Sequence, residues 1–490
     1  MTHPDHRTGI LLHITSLPGP NPVTGTLGAE ARKFIDTLEA NHCHLWQMLP
    51  IGPVFDHRSP YESPSSIAGN PDLLDLQACV DAQWLPEARL MAAYSNRITL
   101  QQTRQEASQL FWETLPSDSN TTQRLRLFTE NNNHWLQDFA LFFALKIYFQ
   151  QKPWWEWPAT LKWRDVAALE EFGDLHKDFI DQIYFEQFIF SEQWRDLKLY
   201  AEKKGITLIG DLPIYVAHDS ADVWASNELF ALDDAGLCIE VAGVPPDYFS
   251  EDGQRWGNPL YRWEVHKKEG FNWWKQRVAA QAERFHSLRI DHFRGLESYW
   301  AIPAEQPDGK VGQWRLAPGD ELLECLGQSF PDILFIAEDL GIITDEVNAL
   351  RERNNLPGMK ILQFAFDGSP DNPYLPANIE GNFIVYTGTH DNDTIEGWIN
   401  TTDDETLRRA MAILHCTKEA LRWAMIEAAI HSSGLWSIIP LQDVLGLDQA
   451  ARMNTPGTIE GNWLWRFDES GFRHPGWQQL SKCIDMKESL

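Results

Sequence analysis

The sequence predicts an α/β chain in which residues 1–490 form a single (β/α)8 barrel, a TIM barrel with large insertions between strands two and three and between strands three and four. Three observations predict it. Short apolar runs recur along the chain, and each ends in polar or charged residues. Segments with apolar residues at helical spacing lie between the later runs, which is the pattern of βα units. The 490 residues are 43% hydrophobic, enough to fill the core of a large barrel and too much for disorder.

In chain order the expected strands are 10–14, 45–49, 207–211, 288–291, 334–338, 360–364, 383–387 and 436–440. Trp274, Val278, Ala282 and Phe285 share one helical face just ahead of the fourth strand. Residues 345–353 carry Val347 and Leu350 at helical spacing, and Thr402 and Glu405 have the spacing of a capping box ahead of Leu407, Met411 and Leu414. Two connections are too long for simple crossovers. Residues 52–205 hold helix-compatible segments rich in Trp, Phe and Leu, such as 138–150, and predict a mainly helical insertion, with a separate domain as the alternative. Residues 212–285 predict a second insertion carrying a loop over the barrel mouth.

Composition narrows the partners. The formal net charge of -29 repels phosphate backbones and anionic lipids, which argues against nucleic acid or membrane as the main partner and leaves a neutral substrate unaffected. The 22 Trp serve mainly as large core residues, but so many tilt the odds towards carbohydrate, because an indole face stacks on the C–H face of a sugar ring. The six Cys are scattered, with no C-x-x-C and no zinc-site spacing, as in reduced cytosolic proteins. His42, Cys43 and His44 have no further ligands nearby in sequence, so no metal is expected, and no organic cofactor motif is present. Residues 1–9 lack the apolar core of a signal peptide, no apolar run is long enough to span a membrane, and a cytoplasmic location is the expectation.

In a parallel barrel the reactive groups sit at the C-terminal ends of the strands. Four expected strands end in acids or acid-containing motifs: Asp211, Asp291, Glu338 and His390-Asp391. Strand alternation puts Arg289 and Asp291 on one face, where the guanidinium favours an ionised carboxylate, as a nucleophile requires. Glu338 ends an apolar strand, where loss of water favours a protonated carboxyl suited to general acid work. Asp391 adds an anion able to favour positive charge developing on a sugar ring. A carboxyl pair is what glycoside chemistry needs, and a retaining enzyme holds it roughly 5–5.5 Å apart. On these features alone a structural ion pair remains the competing reading.

The motifs themselves are more specific. They include Leu45-Trp46-Gln47-Met48-Leu49-Pro50, Ser59-Pro60-Tyr61, Ala68-Gly69-Asn70-Pro71, Gly210-Asp211-Leu212-Pro213-Ile214-Tyr215-Val216 and Asp219-Ser220-Ala221-Asp222-Val223-Trp224. Further along come Gly243-Val244-Pro245-Pro246-Asp247-Tyr248-Phe249-Ser250, Gly253-Gln254-Arg255-Trp256-Gly257-Asn258-Pro259, Arg289-Ile290-Asp291-His292-Phe293-Arg294-Gly295 and Ala337-Glu338-Asp339-Leu340-Gly341. Tyr386-Thr387-Gly388-Thr389-His390-Asp391-Asn392-Asp393-Thr394, Arg452-Met453-Asn454 and Gly461-Asn462-Trp463 complete the set. In this order they resemble the amylomaltase (disproportionating enzyme, 4-α-glucanotransferase) family, a branch of the α-amylase-like barrels.

The resemblance implies Asp291 as nucleophile, Glu338 as acid/base and Asp391 as transition-state stabiliser. It implies that Arg289, Asp211 and His390 hold the sugar at the cleavage point, and that Asp247, Gln254, Trp256 and Asn258 belong to a loop covering the site. Tyr61 and Asn462 match glucan contacts on the acceptor and donor sides. Three stretches depart from the family pattern: Leu375-Pro376-Ala377-Asn378, with Ala377 in place of the usual His, Gly25-Thr26-Leu27-Gly28, and Val54-Phe55-Asp56-His57-Arg58. The implied activity is retaining transfer of α-1,4-glucan segments between maltooligosaccharides. An α-amylase-type hydrolase using the same carboxylates and a non-catalytic glucan-binding protein are the alternatives. A phosphorylase or nucleotide-sugar transferase is disfavoured by the lack of a phosphate-binding glycine loop.

Overall fold

The computed structural model describes residues 6–246, 251–458 and 460–488. Its strands are β1 (Arg7–Leu11), β2 (Leu45–Gln47), β3 (Thr207–Leu212), β4 (Glu240–Val244), β5 (Gln254–Pro259), β6 (Ser287–Ile290), β7 (Ser298–Pro303), β8 (Gln313–Leu316), β9 (Leu334–Ala337), β10 (Gly358–Ile361), β11 (Phe383–Tyr386) and β12 (Trp436–Pro440). Eight of them form one parallel sheet in the order β10-β11-β12-β1-β2-β3-β6-β9. Its two ends, β9 and β10, are successive barrel strands. The Ala337 N–H donates to Pro357 O at 2.8 Å across the seam, so the sheet is a nearly closed barrel.

All eight expected barrel strands are present, with shifted edges. The first lies at Arg7–Leu11, not 10–14, because the chain turns into a 3-10 helix at Ile14–Ser16. The sixth lies at Gly358–Ile361, not 360–364, and Leu362–Phe364 again form a 3-10 turn. In both cases the apolar run outlasts the strand because the residues beyond it still cover the core, so hydrophobicity marks burial without marking where pairing stops.

Alternation along the strands separates two cores. Leu45, Ile209, Ile336, Ile361, Ile384 and Ile438 point into the barrel. Trp46, Leu208, Leu288, Phe335, Val385 and Ile439 point outwards beneath the helices. Moving up the barrel, the inward face turns polar: Tyr386 OH donates to Gln47 Oε1 at 2.7 Å, and Asp211 and Arg289 are register partners on β3 and β6. This polar layer is the floor of the site. Gly210 keeps the same strand thin on its outer side, where a Cβ would come within 2.4 Å of the Phe285 ring. Gly210→Ala is therefore expected to cost about 1–3 kcal/mol through overpacking, read as a lowered unfolding free energy in urea.

Residues 52–205 contain helices and no strand among the described residues; the longest helices are Asn120–Tyr148 and Lys177–Lys203. Residues 138–150 fall at the end of the first of these, and the helix Asp345–Arg353 matches its expected span. The helix ahead of Leu407 is capped by Asp403, not by Thr402. The Asp403 carboxylate accepts the N–H groups of Glu405 and Thr406, each at 3.0 Å, and starts the helix one residue later than the Thr402 spacing implies.

The second insertion differs most from expectation. Its β4 and β5 belong to a four-stranded antiparallel sheet, β5-β4-β7-β8, whose other half comes from beyond the fourth barrel strand. That hairpin is hard to read in sequence because β8 is a four-residue edge strand, Gln-Trp-Arg-Leu, too short for its alternation to stand out and mostly exposed.

No helix among the described residues is long and apolar enough to cross a membrane, and the six cysteines are unbridged.

Candidate active site

The acids predicted from strand ends converge at the C-terminal mouth of the barrel. The hydrogen-bond ladder runs past the strand ends and fixes their backbones: Asp291 N–H donates to Leu212 O and Glu338 N–H to Ile290 O, both at 3.0 Å. Arg289 is the hub. Its Nη1 donates to Asp211 Oδ2 at 2.5 Å and its Nη2 to Asp291 Oδ1 at 3.0 Å. The same Nη2 lies 3.9 Å from Glu338 Oε2, so one guanidinium nitrogen stands between the two carboxyls.

Burial pushes the Asp291 carboxyl above the ordinary range, Arg289 pulls it back, and the anions of Asp211 and Asp391 push it up again. Burial also raises Glu338, against Arg289 and with the Asp291 anion adding to the rise. Both rises have burial as their largest cause and Arg289 as the main opposing one, and the His292 N–H also lowers Glu338. Glu338 is also oriented through its oxygens: the His292 N–H donates to Oε2 at 2.6 Å and the Leu340 N–H to Oε1 at 3.3 Å. His292 reaches that position in a left-handed conformation (φ 48°), which costs a non-glycine residue about 1–2 kcal/mol and aims its N–H at Glu338. An ionised carboxylate beside a protonated carboxyl is the pairing needed to attack an acetal carbon while protonating its leaving oxygen.

A second group closes the site from the β11 side. Tyr61 OH donates to Asp211 Oδ2 at 2.7 Å, and its ring stacks on His390 with centroids 5.1 Å apart. His390 Nε2 lies 3.3 Å from Asp391 Oδ2, and burial lowers the His390 pKa despite that anion. Asp211 Oδ1 is buried with no partner, an acceptor left for a hydroxyl. Asp391 stays about half exposed.

The element expected as a covering loop is a strand. Gln254, Trp256 and Asn258 all lie on β5, with Gly253 and Gly257 at positive φ (64° and 85°). The Trp256 ring meets His292 edge-on at 4.8 Å, and its Nε1–H donates to Gln254 Oε1 at 3.0 Å. Asn258 Nδ2 donates to Val216 O at 2.9 Å and fastens the base of the strand. Asp247 lies outside the described residues. The Asn462 amide is engaged in its own loop: Oδ1 accepts the Thr455 N–H and Nδ2 donates to Thr458 O, both at 2.9 Å.

Some residues of the site escape sequence reasoning. The Trp463 ring lies 6.0 Å from Tyr61 and 5.9 Å from His390 and lines a cleft of about 280 Å³. His13, Thr15 and Thr24 line that cleft with buried polar atoms that have no partner. The only sequence signal for Trp463 is its place in the Gly461-Asn462-Trp463 segment, and for His13 there is none.

A family model described as 4-alpha-glucanotransferase matches residues 12–470. The 4-alpha-glucanotransferase of Thermus thermophilus is 45% identical over 477 residues, covering 94% of both chains. That of Synechocystis is 43% identical over 472 residues, covering 94% of this chain and 93% of the relative. Among solved structures, the amylomaltase of Streptococcus agalactiae in complex with acarbose superposes with a TM-score of 0.93 at 33% identity, covering 99% of each chain.

Proposed function

The chain belongs to the 4-alpha-glucanotransferase family, and from that premise we propose how its site moves a glucan segment from one chain to another. The protein is a 4-α-glucanotransferase, an amylomaltase acting on glucans. In this reading Asp291 attacks the anomeric carbon and Glu338 gives its proton to the leaving oxygen, so the released chain departs as an alcohol and a glucosyl ester forms on Asp291. Glu338, now a carboxylate, takes the proton of an incoming 4-hydroxyl, that oxygen displaces Asp291, and an α-1,4 bond forms again. Two inversions leave the configuration retained. The observation that carries the assignment is the single Arg289 nitrogen held at 3.0 Å from Asp291 and 3.9 Å from Glu338.

Asp211, with its unpartnered Oδ1, and Arg289 receive hydroxyls of the ring being transferred. Tyr61 and His390 form its stacking wall, and Asp391 favours the positive charge that develops on it. Maltooligosaccharides are the substrates in this reading. The cleft lined by His13, Thr15 and Thr24 takes further rings of a bound glucan, whose hydroxyls would meet the unpartnered polar atoms there. The six free cysteines suit a reducing, cytoplasmic setting.

Transfer exceeds hydrolysis only when water is kept from the ester. Trp256, over His292, is the group placed to exclude it. Incubation with pure maltotriose tests the reading: transfer makes glucose and oligomers longer than the substrate, whereas hydrolysis only shortens chains. In Trp256→Ala the ratio of free glucose from hydrolysis to transfer product is expected to rise several-fold. An unchanged ratio would remove Trp256 from water exclusion.

A further inference from the structure

The chain that follows the last barrel strand is not idle around the third acid. Asn454 Nδ2 donates to Asp391 Oδ1 at 2.6 Å, and the Asn454 N–H donates to His390 O at 3.1 Å. Arg452 Nη2 donates to Asp391 O at 2.5 Å, and its Nε to Asn454 O at 2.7 Å. Deeper in the fold, buried Asp443 accepts Thr387 Oγ1–H on Oδ2 and the Ile395 N–H on Oδ1, both at 2.7 Å. Thr387 and Ile395 are the two ends of the turn that carries His390 and Asp391. That turn is thus tied at its root by Asp443 and at its tip by Arg452 and Asn454, all from one stretch of chain after β12.

We propose that Asn454 is a positioning residue for the transfer reaction, whose amide fixes the carboxylate rotamer of Asp391 towards the ring being transferred. The proposal rests on the role given to Asp391 above. Asp391 is half exposed, so water alone would leave its side chain free to turn. His390 reaches only Oδ2, and Arg452 touches only the main-chain oxygen. Asn454 is the neutral donor that holds the other carboxylate oxygen without neutralising its charge. The charged and titratable groups that act on or through Asp391 are His390, Tyr61, Asp291 and Arg452.

Asn454→Asp keeps the shape of the side chain and removes the donor, so it separates positioning from packing. At high pH the new carboxylate repels Asp391. As pH falls the two share a proton, and the protonated form restores an O–H donor where the amide stood. The activity of Asn454→Asp relative to wild type, measured on maltotriose at each pH, is therefore expected to be about 10- to 100-fold down at alkaline pH and to recover as pH falls. KM should stay within about threefold, and Asn454→Ala should be depressed without recovery. Wild-type-like activity of Asn454→Asp at every pH, or an equal loss at every pH, would overturn the proposal. Asp391→Asn separates the two failures. If Asp391→Asn is inactive while Asn454→Asp behaves as wild type, only the positioning role falls. If Asp391→Asn retains full activity, the role of Asp391 falls and the proposal with it.

Discussion

Asp291→Asn should lose at least about four orders of magnitude in the rate of maltotriose disproportionation, with the fold intact. The amide cannot form the glucosyl ester, so both half-reactions lose their shared intermediate. Asparagine has the same shape as aspartate and can still meet Arg289 through its oxygen, so the loss should fall on kcat and not on folding. The Arg289–Asp211 pair, at 2.5 Å and buried, remains to hold the polar layer together. Chromatography of a maltotriose digest is sufficient: glucose and longer oligomers forming at an undiminished rate would exclude Asp291 as nucleophile.

Glu338→Gln should lower transfer by about 10²–10⁴-fold, the range for loss of a general acid. It also carries a pH signature. Both carboxyls of the pair are raised by burial against the pull of Arg289. The nucleophile must be ionised, so activity falls as pH drops through the lower of the two titrations. The acid must be protonated, so activity falls as pH rises through the upper one. The profile of kcat/KM is then a bell with both limbs above the ordinary carboxylate range, and its two apparent values belong to the pair as a unit. In Glu338→Gln the alkaline limb should vanish. A Glu338→Gln variant that keeps the limb would assign it to another group.

The reactive core was largely legible in the chain because it obeys local rules. Arg289 and Asp291 are two apart across the end of a strand, where the ladder continues and keeps them on one face, and Glu338 closes an apolar run whose burial raises its pKa. What could not be read depends on contacts between distant segments. Nothing near Asn454 announces that its amide reaches Asp391, across a separation of 63 residues. Trp463 reaches Tyr61 from a left-handed conformation (φ 63°) that no propensity predicts. The choice between Thr402 and Asp403 as a helix cap turns on one residue of register, which only the backbone geometry decides. The hairpin of β7 and β8 was illegible because β8 is only four residues long and mostly exposed, so its Trp314 and Leu316 alternation marks no buried face.

That hairpin has a mechanical consequence. The chain leaves Asp291 through a short 3-10 turn at Phe293–Leu296 and enters β7, which is bonded to β4, which is bonded in turn to the strand bearing Trp256. Roof and floor are therefore one framework, and the roof takes its alignment from the floor. Heat or denaturant that loosens this sheet disturbs attack and shielding at once. On warming, loss of maltotriose disproportionation is therefore expected without an earlier rise in net hydrolysis.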